Sequence, residues 1–157
     1  MNSLNSPATV LTLLLATAAA MPSNLYGQSQ YELFDAVQTG DFEQLTTLIM
    51  NGTDINRANA NGFTPLMAAS KIGDPLIVEL LLAENPDINW QNGSGTTALM
   101  IAAKYGHRQV VMRLLSEGAD PMLKNYFGLR ASQFAYAYRH DAVFRILTAA
   151  EANTNRM

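Results

Sequence analysis

Cysteine is absent from this 157-residue chain, which excludes disulfides, thiolate zinc sites, a cysteine nucleophile and a lipid-modified N-terminal cysteine. Histidine is scarce: only His107 and His140 occur, so a two-histidine metal site would need both. Clustered Lys and Arg of the kind that neutralises phosphates is missing, and the formal net charge is −3. That balance argues against a nucleic-acid partner, and the acid excess is too slight for a polyanionic tail. No apolar run reaches the roughly 20 residues needed to span a bilayer. Neither a P-loop, a glycine-rich nucleotide motif nor a Ser-His-Asp order is present.

Charge is also missing from the start of the chain, where no Asp, Glu, Lys or Arg precedes Glu32. Val10 to Ala20 (VLTLLLATAAA) is a short apolar run of the kind that forms the core of a secretory signal. Small residues suited to a peptidase end it at Ala18-Ala19-Ala20, and Gly27 offers a second cut. Residues 1–28 are therefore set aside as signal peptide and linker, with a periplasmic or secreted mature protein expected. The leader has no Lys or Arg ahead of its apolar core. Either the start codon is misplaced or the amino terminus alone supplies the positive charge. The competing reading is a disordered or loosely helical tail.

What is present is a repeat. Asn59, Asn92 and Asn125 are spaced by 33 residues, as are Gly62, Gly95 and Gly128. Thr64-Pro65-Leu66 returns as Thr97-Ala98-Leu99, Gly73 matches Gly40 and Gly106, and His107 returns as His140. Leu48, Leu81, Leu114 and Leu147 share one position, and Asp54, Asp87 and Asp120 another. Register holds without insertion through four units of about 29–62, 63–95, 96–128 and 129–157.

Each unit reads as helix, turn, helix, loop. Thr64 is placed to cap the first helix, with Pro65 at its first position. Gly73 ends that helix where a left-handed backbone is needed. Pro75 opens the second, whose Ile77, Val78, Leu81 and Leu82 form an apolar stripe at helical period. Asn85 stands where Gly52 and Gly118 stand in neighbouring units, as the residue type next best at adopting that backbone shape. The aligned Asn59, Asn92 and Asn125 are read as turn formers that bond their own loop backbone. Ala68, Ala69, Ala102 and Ala103 let neighbouring helices approach closely. The predicted fold is all-α, a solenoid of four helix-turn-helix units with hairpin-like loops.

A 33-residue unit with Thr64-Pro65-Leu66-Met67, Gly106-His107, Val110-Val111 with Leu114-Leu115, and Gly118-Ala119-Asp120 resembles the ankyrin repeat. The resemblance runs from about Tyr31 to Ala150. Met67 and Met100 replace its usual histidine, and the outer units depart further, as capping repeats do. The resemblance implies that His107 and His140 tie the turn between helices to neighbouring backbone. Lying one helix layer apart, about 10 Å, they cannot both stand about 2 Å from one zinc ion. No metal, cofactor or enzymatic activity is expected.

The resemblance further implies a recognition scaffold whose loop tips and first-helix ends form one concave side. Around the first loop and the helix that follows it, these contact positions include Phe63, Lys71 and Ile72. Around the middle loop and its following helix they include Trp90, Gln91, Lys104 and Tyr105, and towards the end of the chain Lys124, Tyr126, Phe127 and Tyr138. Tyr126, Phe127 and Leu129 either meet a partner or fold over the open end of the stack. The expected partner is another protein, with no nucleic acid and no membrane span, bound by a chain that is monomeric when free. Similarity to small exported bacterial ankyrin proteins implies protection against, or neutralisation of, an enzyme in the periplasm. The alternatives are a structural or chaperone-like part of an envelope assembly and a host-targeted protein.

Overall fold

The computed structural model describes residues 23–154, with side chains from Gln28 onward. Eight helices occur among them: α1 (Ser23–Thr39), α2 (Phe42–Met50), α3 (Pro65–Ile72), α4 (Pro75–Leu82), α5 (Ala98–Tyr105), α6 (Arg108–Ser116), α7 (Ala131–Ala137) and α8 (Asp141–Thr154). They pair in chain order into four units, and no strand occurs among the described residues. The apolar run from Val10 to Ala20, with its possible cut after Ala20, lies outside them. The second candidate cut, Gly27, falls within the span of α1.

Local chemistry sets the helix ends. The Thr64 hydroxyl accepts the Met67 N–H at 3.3 Å, and Thr97 does the same for Met100. Asp74 caps α4 through the Leu76 N–H at 2.9 Å, just ahead of Pro75. Gly73 and Gly106 close α3 and α5 in the left-handed region, with φ of 87° and 75°. Asn85 takes the same backbone sense as Gly52 and Gly118, as its place in the repeat predicts. Arg139, in the register position of Gly106, is the other non-glycine residue that does so among the described residues.

Packing follows the repeat. The first helices α1, α3, α5 and α7 form one row, and α4, α6 and α8 a second row behind it. Ala36, Ala69, Ala102 and Ala135 share one register position and are all fully buried, so a methyl group is what separates successive helices of the first row. Leu81, Leu114 and Leu147, also fully buried, fill the layer between the rows. Met67 and Met100 belong to the same core. Ala68 is only half-buried, packing against this core while also lining a surface depression. Each unit therefore buries its apolar face mainly against its neighbours, and stability is a nearest-neighbour sum.

Polar staples join the units. The His107 Nε2–H donates to the Lys71 carbonyl at 3.0 Å and that of His140 to the Lys104 carbonyl at 3.0 Å. A carbonyl oxygen can only accept, so Nε2 carries the proton in both rings. In the loops, Asn56 Oδ1 accepts the Asp87 N–H at 2.9 Å and Asn89 Oδ1 accepts the Asp120 N–H at 2.8 Å.

The last unit uses different chemistry. Arg130 occupies the position of Thr64 and Thr97, and its side chain has no acceptor with which to cap α7. The Gln133 side-chain oxygen instead accepts the Arg130 N–H at 2.9 Å. The Arg130 guanidinium lies 3.7 Å from the Glu151 carboxylate, which also accepts the Ser132 hydroxyl at 2.6 Å. A charged lock thus ties α7 to α8 where the repeat pattern is weakest.

Candidate functional site

The loops double back as tight reversals held by asparagine. Asn59 Oδ1 accepts the N–H groups of Asn61 and Phe63, Asn92 Oδ1 those of Ser94 and Thr96, and Asn125 Oδ1 those of Phe127 and Leu129. These three residues are turn formers, as their alignment predicts. Between the loops and the exposed side of the first-row helices run three adjoining depressions. The first, from Tyr31 and Phe34 to Arg57, shares Phe34, Asn59 and Asn61 with the second. The second shares Phe63, Lys71 and Tyr105 with the third, which ends at Lys104 and Phe134. Together they form one groove from the first unit to the edge of the fourth.

Five of the residues expected to contact a partner line this groove: Phe63, Lys71, Ile72, Lys104 and Tyr105. Ile72 and Tyr105 share a register position and are 41% and 44% exposed. The Tyr105 ring stacks on His107 at a centroid distance of 6.1 Å, so the histidine staple also backs this wall of the groove. The Lys104 ammonium stands between two tyrosines, 5.8 Å from the centroid of Tyr105 and 5.3 Å from that of Tyr138. Tyr138 therefore flanks the far end of the groove without lining it.

Trp90 and Gln91 are engaged with the scaffold. The Trp90 indole N–H donates to the Gly62 carbonyl at 3.3 Å, back across to the preceding loop. The Gln91 side-chain amide donates to the carbonyls of Gly95 and Lys124, at 2.7 and 2.9 Å, joining its own loop to the next. Lys124, Tyr126 and Phe127 stand apart from the groove at the last loop. Tyr126 and Phe127 are 75% and 80% exposed, so they project from the tip and do not fold over the end of the stack. The Tyr126 N–H reaches back to the Ser94 carbonyl at 3.0 Å.

Phe34, Arg57, Met100, Ile101 and Phe134 also line the groove, though the sequence does not mark them as contact positions. The register held a signal for some of them. Ile101 and Phe134 share the position of the small residue Ala68, and Phe34 that of Met67 and Met100. Phe34, Met100 and Ile101 are buried and belong to the core, so they form the floor of the groove and not an exposed wall.

Each histidine ring is bonded through Nε2 to a backbone carbonyl one unit back. Among the described residues no three potential metal ligands gather, and no helix is long and apolar enough to cross a membrane. No curated protein matches the chain. The family model for ankyrin repeats (3 copies) matches over residues 33–125 and 73–157. With helix pairs stacked in register, loops closed by asparagine and histidines stapling successive units, the chain belongs to the ankyrin-repeat family.

Proposed function

We propose that the protein acts by binding a partner protein in the groove between its loops and first-row helices, without catalysis. Ankyrin repeats are interaction modules, and one observation carries the placement: Phe63, Ile72 and Tyr105 present apolar surface along a continuous groove while the backbone beneath them is fixed by asparagine and histidine bonds. Aromatic and aliphatic side chains on a preformed scaffold are the anchors that dominate protein interfaces. The chain is a monomer when free and works outside the cytoplasm, in the periplasm or beyond, as the apolar run from Val10 to Ala20 suggests. Binding there serves to protect against, or to neutralise, an enzyme.

Capture of partners by the immobilised chain tests the surface. Replacing Ile72 and Tyr105 together by Ala is expected to weaken capture by roughly tenfold or more, the scale of interface anchors. Replacing Leu76 and Met112 by Ala, both exposed outside the groove, is expected to leave capture unchanged. Equal loss in both variants, with circular dichroism unaltered, would reject the groove as the site. For export, the chain fused ahead of a reporter active only outside the cytoplasm is expected to give signal, and a silent, intact fusion would reject the assignment.

A further inference from the structure

The groove is electrostatically one-sided. Its described lining includes Arg57, Lys71 and Lys104 but no Asp or Glu, in a chain with 13 acids against 10 bases. Carboxylates have partners elsewhere. Glu79 and Glu117 meet Arg113 on the second row of helices, while Asp54 and Asp87 in the loops accept backbone N–H groups of Asn56 and Asn89. Asp35, the register equivalent of Ala68 and Ile101, lies on α1 outside the described lining. Lys71 and Lys104 make no ion pair among the described residues. The helix dipole favours a cation in the last turn of α3 and of α5. It does not explain why none of the described lining residues that accompany these cations is an acid.

Building on the protein-binding reading above, we propose that the groove receives an extended, acidic segment of its partner. Carboxylates on that segment meet Lys71 and Lys104, and an apolar side chain sits among Phe63, Ile72 and Tyr105. The two lysines are one unit apart, about 10 Å for packed helices. An extended chain of the polyproline II type rises about 3.1 Å per residue with three residues per turn, so carboxylates three residues apart lie on one face and match them. Three cations in a chain of net charge −3 are too few to favour a single-stranded nucleic acid, whose affinity rests on many phosphate contacts.

Selection of a random dodecapeptide display library on the full chain, followed by fluorescence anisotropy with the recovered peptides, tests this. Recovered peptides are expected to be acidic, with Asp or Glu three residues apart beside an aromatic or aliphatic residue. Lys71→Glu with Lys104→Glu is expected to weaken their binding by roughly thirtyfold at low salt, and raising salt to about 150 mM to weaken binding to the unmodified chain several-fold. If charge reversal disturbs the circular dichroism, Lys71→Gln with Lys104→Gln replaces it, with a smaller loss expected. Neutral or basic peptides that compete for the groove would overturn the acidic assignment and leave protein binding intact. Acidic peptides indifferent to the lysine variants would overturn the placement, and recovery of no binding peptide would overturn recognition of an extended segment. Tighter binding of a labelled oligothymidylate than of any recovered peptide would assign the charge to nucleic acid instead.

Discussion

Gly73→Ala is expected to lower the free energy of unfolding by about 2–4 kcal/mol, combining left-handed backbone strain with overpacking. Gly73 has φ of 87°, and a Cβ there would lie only 2.2 Å from the His107 ring. The ring cannot simply swing away, because its Nε2–H is bonded to the Lys71 carbonyl and its face stacks on Tyr105. A methyl group at residue 73 therefore pushes apart the second and third units at their staple. Gly40→Ala is the control. Gly40 has φ of 74°, but a Cβ there would meet nothing within 4 Å, so only the backbone cost of about 1–2 kcal/mol applies. Equilibrium denaturation of Gly73→Ala, His107→Ala and the double variant completes the test. The two changes are expected to be non-additive, with the double variant more stable than the sum of the single losses predicts. Strict additivity would show that ring and glycine do not press on one another.

Leu81→Ala is expected to cost roughly 2–5 kcal/mol, the range for fully buried leucines. Leu81 is completely inaccessible and lies in α4, which packs on both α3 and α6. Its loss leaves a void that two interfaces share, where neither helix can collapse without disturbing the other. In a stack whose units depend on their neighbours, that loss is a large part of the total stability. The comparison is Leu76→Ala in the same helix, where the side chain is 62% exposed and surface changes stay within about 0.5 kcal/mol. Urea melts followed by circular dichroism distinguish the two. A Leu81→Ala midpoint equal to that of Leu76→Ala would contradict the assignment of Leu81 to the shared layer.

The fold was legible because its determinants recur. Thr64, Gly73, Asn59 and Leu81 each act through local geometry or burial, and each recurs in a register kept along the chain, so one reading explains several units. The site was only partly legible, for a related reason. Lys71, Ile72 and Tyr105 lie at helix ends, where position in the repeat already implies exposure. Trp90 and Gln91 lie in the loops, and whether a polar group there faces solvent or the neighbouring loop depends on distant parts of the chain, as the Trp90–Gly62 and Gln91–Lys124 bonds show. Ala68 packs against the core less fully than Ala69 and also lines the groove, a difference that two adjacent alanines do not reveal in sequence. The lock of Arg130, Ser132 and Glu151 carried no repeat signal, being confined to one unit.

The histidine staples are unevenly distributed. The register position of His107 and His140 is held in the second unit by Asp74, which caps its own helix, so the described bonds joining the first two units come from Asn56 and Trp90. The seam between the second and third units is the most heavily bonded, by His107, Asn89, Gln91 and Tyr126 together. Lys71 and Lys104 stand on either side of that seam. A partner arriving there meets a surface whose shape is already settled, so little motional freedom is lost on association. Loosening of the array at its two ends would then change the protein's lifetime far more than its grip.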